Sequence, residues 1–411
     1  MTNLTQQAAF NHPSDERHSS NAETSRPQTS DSQISYSQTS HQQTSFVDVF
    51  KKLSRADLTL KLYSQTACDV ERALQNPAAN LDSLLALLSP AAEPYLEQMA
   101  QQAVALTRQR FGASIGMYIP LYLSNLCANE CDYCGFTMSN KIKRKTLSKA
   151  EITDEIRPIK AMGYDSILLV SGEHETKVGV PYFKQMLPVV RQHFSYVAME
   201  VQPLEEQDYR ELVTEGLDAV MLYQETYNPV TYAEHHTRGK KSDFAYRLES
   251  PDRVARAGVD KIGLGVLLGL DDWRLDALLM GHHLDYLEKT YWRSRYSISL
   301  PRLRPCTGGV APKVELTDKG LVQMICAFRL FNQQLEISLS TRETPELRNN
   351  LFALGVTNVS AGSSTQPGGY VEPNTELDQF EISDERSPQL VAKAMLERGL
   401  NPVWKDWESG W

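Results

Sequence analysis

The 411-residue sequence contains no run of eighteen consecutive apolar residues; its apolar runs, such as Ile167 to Val170, are strand-sized. A membrane-spanning helix needs about 20 such residues, so a helical membrane protein is excluded and no membrane partner is expected. Cysteine is scarce: six in the whole chain is too few for a disulfide scaffold. Positive charge is not in excess either. Lys plus Arg is 42 against 51 for Asp plus Glu, a net −9, which is the wrong sign for a general nucleic-acid binder. The first residues carry no charged-then-apolar signal segment. Asp15, Glu16, Glu23 and Asp31 argue against a mitochondrial transit peptide, so a reducing, cytoplasmic location is expected. What is present is a globular composition, 41% hydrophobic and 23% charged, with enough apolar mass for a large core.

The chain divides into four stretches. Residues 1–45 are polar and repetitive, with Gln-Thr-Ser at Gln28, Gln38 and Gln43, and are expected to be a disordered extension. Residues 46–114 are expected to be a helical lead-in. Leu81, Leu84, Leu85 and Leu88 follow a 3.6-residue rhythm, and Pro90 and Pro94 mark a break between helices. Residues 115–365 alternate short strand-like runs with amphipathic segments. The predicted strands are 115–124, 166–171, 196–202, 219–224, 261–268, 296–303, 335–341 and 356–361; helices are predicted over 273–291 and 317–331. Eight strands alternating with helices predict an α/β fold, a TIM-type (β/α)8 barrel. A doubly wound sheet gives a similar count. Residues 366–411 form a tail with one helix near 388–399 and Trp404, Trp407 and Trp411, expected to pack on the barrel wall.

Function in such a barrel gathers at the C-terminal ends of the strands. After the first strand comes Cys127-Ala-Asn-Glu-Cys131-Asp-Tyr-Cys134. Three thiolates spaced C-x3-C-x2-C in one loop suit three corners of a [4Fe–4S] cubane, which normally takes four cysteines, and leave one iron open. A structural zinc site is the competitor. It needs a closed set of four ligands, and no further His or Cys lies within ten residues of the triplet. Cys306, near the predicted mouth, is either a fourth zinc ligand or a small buried side chain.

The triplet, with Tyr133 before its third cysteine, resembles the radical S-adenosylmethionine superfamily. Ser171-Gly172-Glu173 looks like that superfamily's strand-two motif. The stretches LYLSNLCANECDYCGF, KIKRKTL, SGEH, MEVQPL, YQETY, DKIGLG, PRLRPCTGG, LSTRE and TQPGGY resemble, within it, the 2-iminoacetate synthase family, the tyrosine lyases of bacterial thiamine thiazole synthesis. The resemblance runs from about residue 46 to the C-terminus. A related tyrosine lyase of hydrogenase maturation carries a second cluster on C-terminal cysteines, and here no cysteine follows Cys326.

The resemblance implies a [4Fe–4S] cluster on Cys127, Cys131 and Cys134 as metal ligands and S-adenosylmethionine chelated at the open iron. It implies cleavage of the Cα–Cβ bond of L-tyrosine to 2-iminoacetate (dehydroglycine) and p-cresol, with 5′-deoxyadenosine and methionine as co-products. Tyr133, Gly172, Glu173, Glu225 and Arg342 are the expected cofactor-binding residues, with Gly172 and Glu173 at the methionyl end. Arg302 and Arg304, two residues apart on strand six, are expected to grip a carboxylate, and Ser363 to touch substrate. For Glu225 and all three arginines, structural ion pairs are the alternative. The implied partners are thiazole synthase and an electron donor such as flavodoxin or ferredoxin. The reading from a different class is a non-catalytic, zinc-bound scaffold subunit. His235-His236 and His282-His283 are expected at the surface or in packing. Lys141, Lys143, Arg144 and Lys145 are expected to form a solvated face or a dock for an anion or electron donor.

Overall fold

The computed structural model describes residues 45–75, 80–373 and 377–405. The expected disordered extension, apart from Ser45, lies outside the described residues, as do Trp407 and Trp411. Eight parallel strands form the centre: β1 (Ser114–Ser124), β2 (Ser166–Ser171), β3 (Tyr196–Glu200), β4 (Ala219–Glu225), β5 (Lys261–Val266), β6 (Arg295–Ser299), β7 (Glu336–Leu339) and β8 (Asn358–Ser360). Each pairs with the next, Ile119 of β1 opposite Ile167 of β2 and Asn358 of β8 opposite Ser338 of β7. β8 returns to β1, Gly116 opposite Asn358, so the sheet closes into the barrel that the alternation predicts. A doubly wound sheet is thereby ruled out. A short strand at Asn401–Val403 extends the start of β1, pairing with Ser114–Gly116.

Helices connect the strands on the outside, and their ends are written in the sequence. Helix Lys149–Ala161 starts at a capping box of Ser148 and Glu151, and Thr317 caps Asp318–Phe331. Gly163 and Gly258 take φ of 97° and 83° where helices turn back toward β2 and β5, a region that side chains with a Cβ avoid. The helix-facing side of the strands is apolar, with Ile119, Leu121, Ile262, Leu264 and Ile298 all fully buried, while polar side chains such as Tyr118, Glu200, Lys261 and Ser297 point into the barrel.

Helices Arg55–Tyr63, Ala67–Gln75, Leu81–Leu88 and Leu96–Phe111 precede the barrel. The proline break falls where expected, as a 3-10 turn over Pro90–Tyr95. Helix Leu81–Leu88 lies against the barrel helix Trp273–Thr290. Gln323 donates to the carbonyls of Leu87 and Ser89, and Arg274 to that of Leu88. These side chains satisfy carbonyls that the helix end leaves unpaired. Phe46 is fully buried and stacks on His283 with ring centroids 3.9 Å apart, so His283 is a packing histidine. In the tail, helix Pro388–Leu396 buries Val391 and Met395, and Trp404 packs edge-on to Tyr164.

Candidate active site

The loop after β1 is held in place from several directions. Cys131 sits in a two-stranded antiparallel ribbon of Glu130–Cys131 with His236–Arg238. Asn125 ties the loop's two ends, donating to the Lys143 carbonyl and accepting from the Lys145 amide. Arg144 spreads its guanidinium over four carbonyls, those of Asn125, Phe136, Thr137 and Asn140, at 2.7–3.0 Å. Arg144 is therefore a fastener inside the loop. This corrects the expectation that it belongs to a solvated basic face; Lys141 and Lys143 stay exposed.

Cys127, Cys131 and Cys134 line one cavity inside the barrel mouth together with Tyr133, Gly172, Glu173, Glu225, Arg342 and Ser363. Burial pushes the Cys127 thiol up to about 11 and the Cys131 and Cys134 thiols up as well. Metal coordination, which displaces thiol protons, offsets that cost. Among the described residues, no three His, Cys, Asp or Glu side chains are posed around a single metal ion.

Beside the cysteines lies a buried network of two carboxylates and two cations. Glu173 accepts from Asn129 at 2.7 Å and from Arg247 at 3.0 Å, and Glu225 accepts from Lys241 at 2.7 Å. Burial pushes both carboxyls up, but Arg247 and Lys241 outweigh it and hold them below the ordinary carboxylate range. Glu225 is thus ion-paired to Lys241 and also lies on the cavity wall. It is also the one described non-glycine residue at positive φ, 68°, where the β4–β5 register shifts. Such a backbone costs about 1–3 kcal/mol and tends to persist at functional sites.

Tyr133, on the cavity wall, extends to the histidine pair, its hydroxyl 2.5 Å from His236 Nε2. The other ring nitrogen of His236 meets the Tyr232 carbonyl at 2.6 Å and must donate, so Nε2 accepts and Tyr133 donates. Burial lowers the His236 pKa to about 2 and keeps it neutral. Both His235 and His236 are buried, so for this pair the surface alternative fails and the packing one stands.

Arg302 and Arg304 do not line the cavity; Pro301 and Leu303 do. The period-two alternation put both arginines on one face, but that face turns away from the site. Arg302 pairs with Glu343 and Asp318, so its guanidinium is not free to take a substrate carboxylate. Inside the mouth, besides the ion-paired Arg247, lies the Arg342 guanidinium. It stacks 3.5 Å from the Phe380 ring centroid and forms no ion pair among the described residues. Its Nη1 donates to the Arg302 carbonyl at 3.3 Å, and burial pulls its pKa down, consistent with a cation lacking a carboxylate partner.

Several site residues escaped the sequence reading. Gln379 and Phe380 come from the tail. Gln379 accepts from the Tyr122 hydroxyl at 2.8 Å and its amide approaches Cys134 Sγ at 3.6 Å. Glu200 ends β3 on the cavity wall; a lone acid closing an apolar run was its available signal. Lys241 and Arg247 lie in the long connection after β4, where no periodicity marks them.

The residues present fit a nucleoside cofactor with an amino-acid end. Ser171 Oγ and Ser363 Oγ face the cavity buried and without a protein partner. A Cβ on Gly172 would fall 2.5 Å from the Leu126 carbonyl oxygen, so only glycine lets β2 close on the cysteine loop.

A closed (β/α)8 barrel with three cysteines after its first strand and a charged glycine-containing turn after its second defines a radical S-adenosylmethionine enzyme. Residues 121–280 match the Radical SAM superfamily and residues 299–401 the Biotin and Thiamin Synthesis associated domain. The chain is 56% identical over 366 residues to the 2-iminoacetate synthase of Escherichia coli K12, covering 89% of this chain and 97% of that one. It belongs to the 2-iminoacetate synthase family. It is also similar to the FeFe-hydrogenase maturase HydG from Carboxydothermus hydrogenoformans, at 30% identity and a TM-score of 0.77, covering 87% of this chain and 82% of that one. Methylornithine synthase (PylB), at 20% identity and a TM-score of 0.64 over 81% of this chain and 96% of the other, shares the fold.

Proposed function

We propose that this chain cleaves the Cα–Cβ bond of L-tyrosine to 2-iminoacetate and p-cresol, supplying the thiazole of thiamine. The carrying observation is the juxtaposition of Cys127, Cys131 and Cys134 with the unpaired Arg342 guanidinium in one enclosed cavity. Cys127, Cys131 and Cys134 would hold a [4Fe–4S] cluster with S-adenosylmethionine at its open iron, which would supply the radical chemistry. The rest is the work of the side chains. Gly172 and Glu173 hold the methionyl end, and Glu225 takes hydrogen bonds from ribose or amino groups. Tyr133 shapes the cysteine loop through its bond to His236. Arg342 grips the substrate carboxylate with Ser363 beside it. Tail residues Gln379 and Phe380 help to exclude water, which protects a reactive intermediate.

2-Iminoacetate hydrolyses readily, which favours direct transfer to thiazole synthase in a complex. Exposed Lys141 and Lys143, beside the cluster loop of an otherwise acidic protein, suit an acidic donor such as flavodoxin or ferredoxin. Cluster chemistry and free cysteines suit the cytoplasm; among the described residues no helix is long and apolar enough to cross a membrane. The test is an anaerobic assay of reconstituted protein with S-adenosylmethionine, tyrosine and a strong reductant, with products read by mass spectrometry. The reading requires 5′-deoxyadenosine and p-cresol together. 5′-Deoxyadenosine alone would refute the substrate, and zinc with neither product would favour the scaffold.

A further inference from the structure

Glu200 stands apart from the other acids of the mouth. Glu173 and Glu225 are each bonded to a cation. Glu200 shares their cavity but has no hydrogen-bond or ion-pair partner among the described residues. Arg342, on the same cavity, has no carboxylate partner either, and the two are too far apart to pair with each other although each feels the other's charge. An unpaired carboxylate and an unpaired guanidinium across one cavity form a receptor for a zwitterion. The guanidinium matches an α-carboxylate and the carboxylate an α-ammonium group.

Resting on the tyrosine-lyase reading, we infer that Glu200 binds the α-ammonium group of tyrosine and accepts its proton before the radical step. One N–H bond breaks and one carboxyl O–H bond forms; no electron is transferred. The substrate nitrogen is left as a neutral amine, and Glu200 as a neutral acid.

The surroundings leave Glu200 as the group that changes charge near neutrality. Burial, then the Glu225 charge, raises its pKa to about 7, against the pull of Arg342, Lys241 and Arg247. Tyr118 and Tyr122 of β1 and Tyr223 of β4 lie within electrostatic reach. Burial pushes their phenols up, and they stay neutral from pH 6 to 8. Glu225, held low, stays ionised over the same range.

The test is calorimetric binding to the reconstituted holoenzyme with S-adenosylmethionine and no reductant, so that nothing turns over. Tyrosine is compared with 3-(4-hydroxyphenyl)propanoate, which keeps the carboxylate and phenol but lacks the amine. In the unmodified protein, tyrosine affinity should rise about tenfold from pH 6 to pH 8, following the ionised fraction of Glu200, while the analogue stays flat. In Glu200→Gln, tyrosine binding should lose that pH dependence and weaken about tenfold or more at pH 8, with the analogue unchanged. Equal pH dependence for the two ligands in the unmodified protein overturns the inference without any variant. So does a Glu200→Gln protein that binds tyrosine normally at pH 8. Failure of the lyase reading looks different: the unmodified protein then makes no p-cresol at any pH.

Discussion

Arg144 shows how much one side chain can carry at this site. Its four carbonyl acceptors lie between Asn125 and Asn140 and so bracket all three cysteines. A lysine has one nitrogen and cannot span four carbonyls in a plane. Arg144→Lys should therefore retain the fold by circular dichroism yet lose most of its iron and sulfide after gel filtration, measured against unmodified protein reconstituted in parallel. Full retention would show that the cysteines are held without it. The sequence displayed Arg144 only as one member of a basic run, because its acceptors are backbone atoms that leave no trace in composition. The cysteines were legible for the opposite reason: their chemistry is local, three thiols within eight residues of one loop. The Glu173–Arg247 pair spans 74 positions, and only the folded barrel reveals it.

At the scale of elements, the strands were legible because each presents buried apolar residues to the surrounding helices. Their ends were less so. The run predicted over 296–303 leaves the sheet after Ser299, and its apolar character continues only because Leu300 is buried in the core and Pro301 and Leu303 line the cavity. Arg302 and Arg304 were misplaced through that same stretch, where alternation fixes relative orientation and not which side faces inward. The tail held a further surprise. Part of it crosses the mouth, and the Gly135 amide donates to the Gln379 carbonyl at 3.0 Å. A Cβ on Gly135 would come within 2.6 Å of the Asp378 carbonyl oxygen, a backbone atom with little freedom to yield. Gly135→Ala should lift residues 377–381 off the cysteine loop. Hydrogen exchange at the Gly135 amide should accelerate by an order of magnitude or more, with exchange in the barrel strands unchanged. Unaltered exchange at Gly135 would mean that the tail is anchored elsewhere.

The whole molecule shows its buried carboxyls in its pH dependence. Asp276 is buried in helix Trp273–Thr290 and accepts from the Tyr227 amide at 2.9 Å and the Thr226 hydroxyl at 3.1 Å. Burial dominates and raises its pKa to about 7. A carboxyl with a raised folded pKa binds its proton more tightly in the folded state. Its destabilising effect is absent below about 3.8, grows as pH rises, and is complete above about 7. Asparagine keeps the acceptor oxygen and removes the ionisation. Asp276→Asn should gain stability relative to the unmodified protein between pH 5.5 and pH 8, by on the order of 2 kcal/mol, seen as a widening gap between melting temperatures. A gap that does not change with pH would place the charge cost elsewhere.

The central claim is that one loop of this barrel holds a four-iron cluster by three cysteines and keeps the fourth iron open for S-adenosylmethionine. Mössbauer spectroscopy of the iron-57-reconstituted protein tests it most directly. The account predicts that adding S-adenosylmethionine sets one iron in four apart from the other three. Four irons indifferent to S-adenosylmethionine, in a protein with full cluster content, would contradict it.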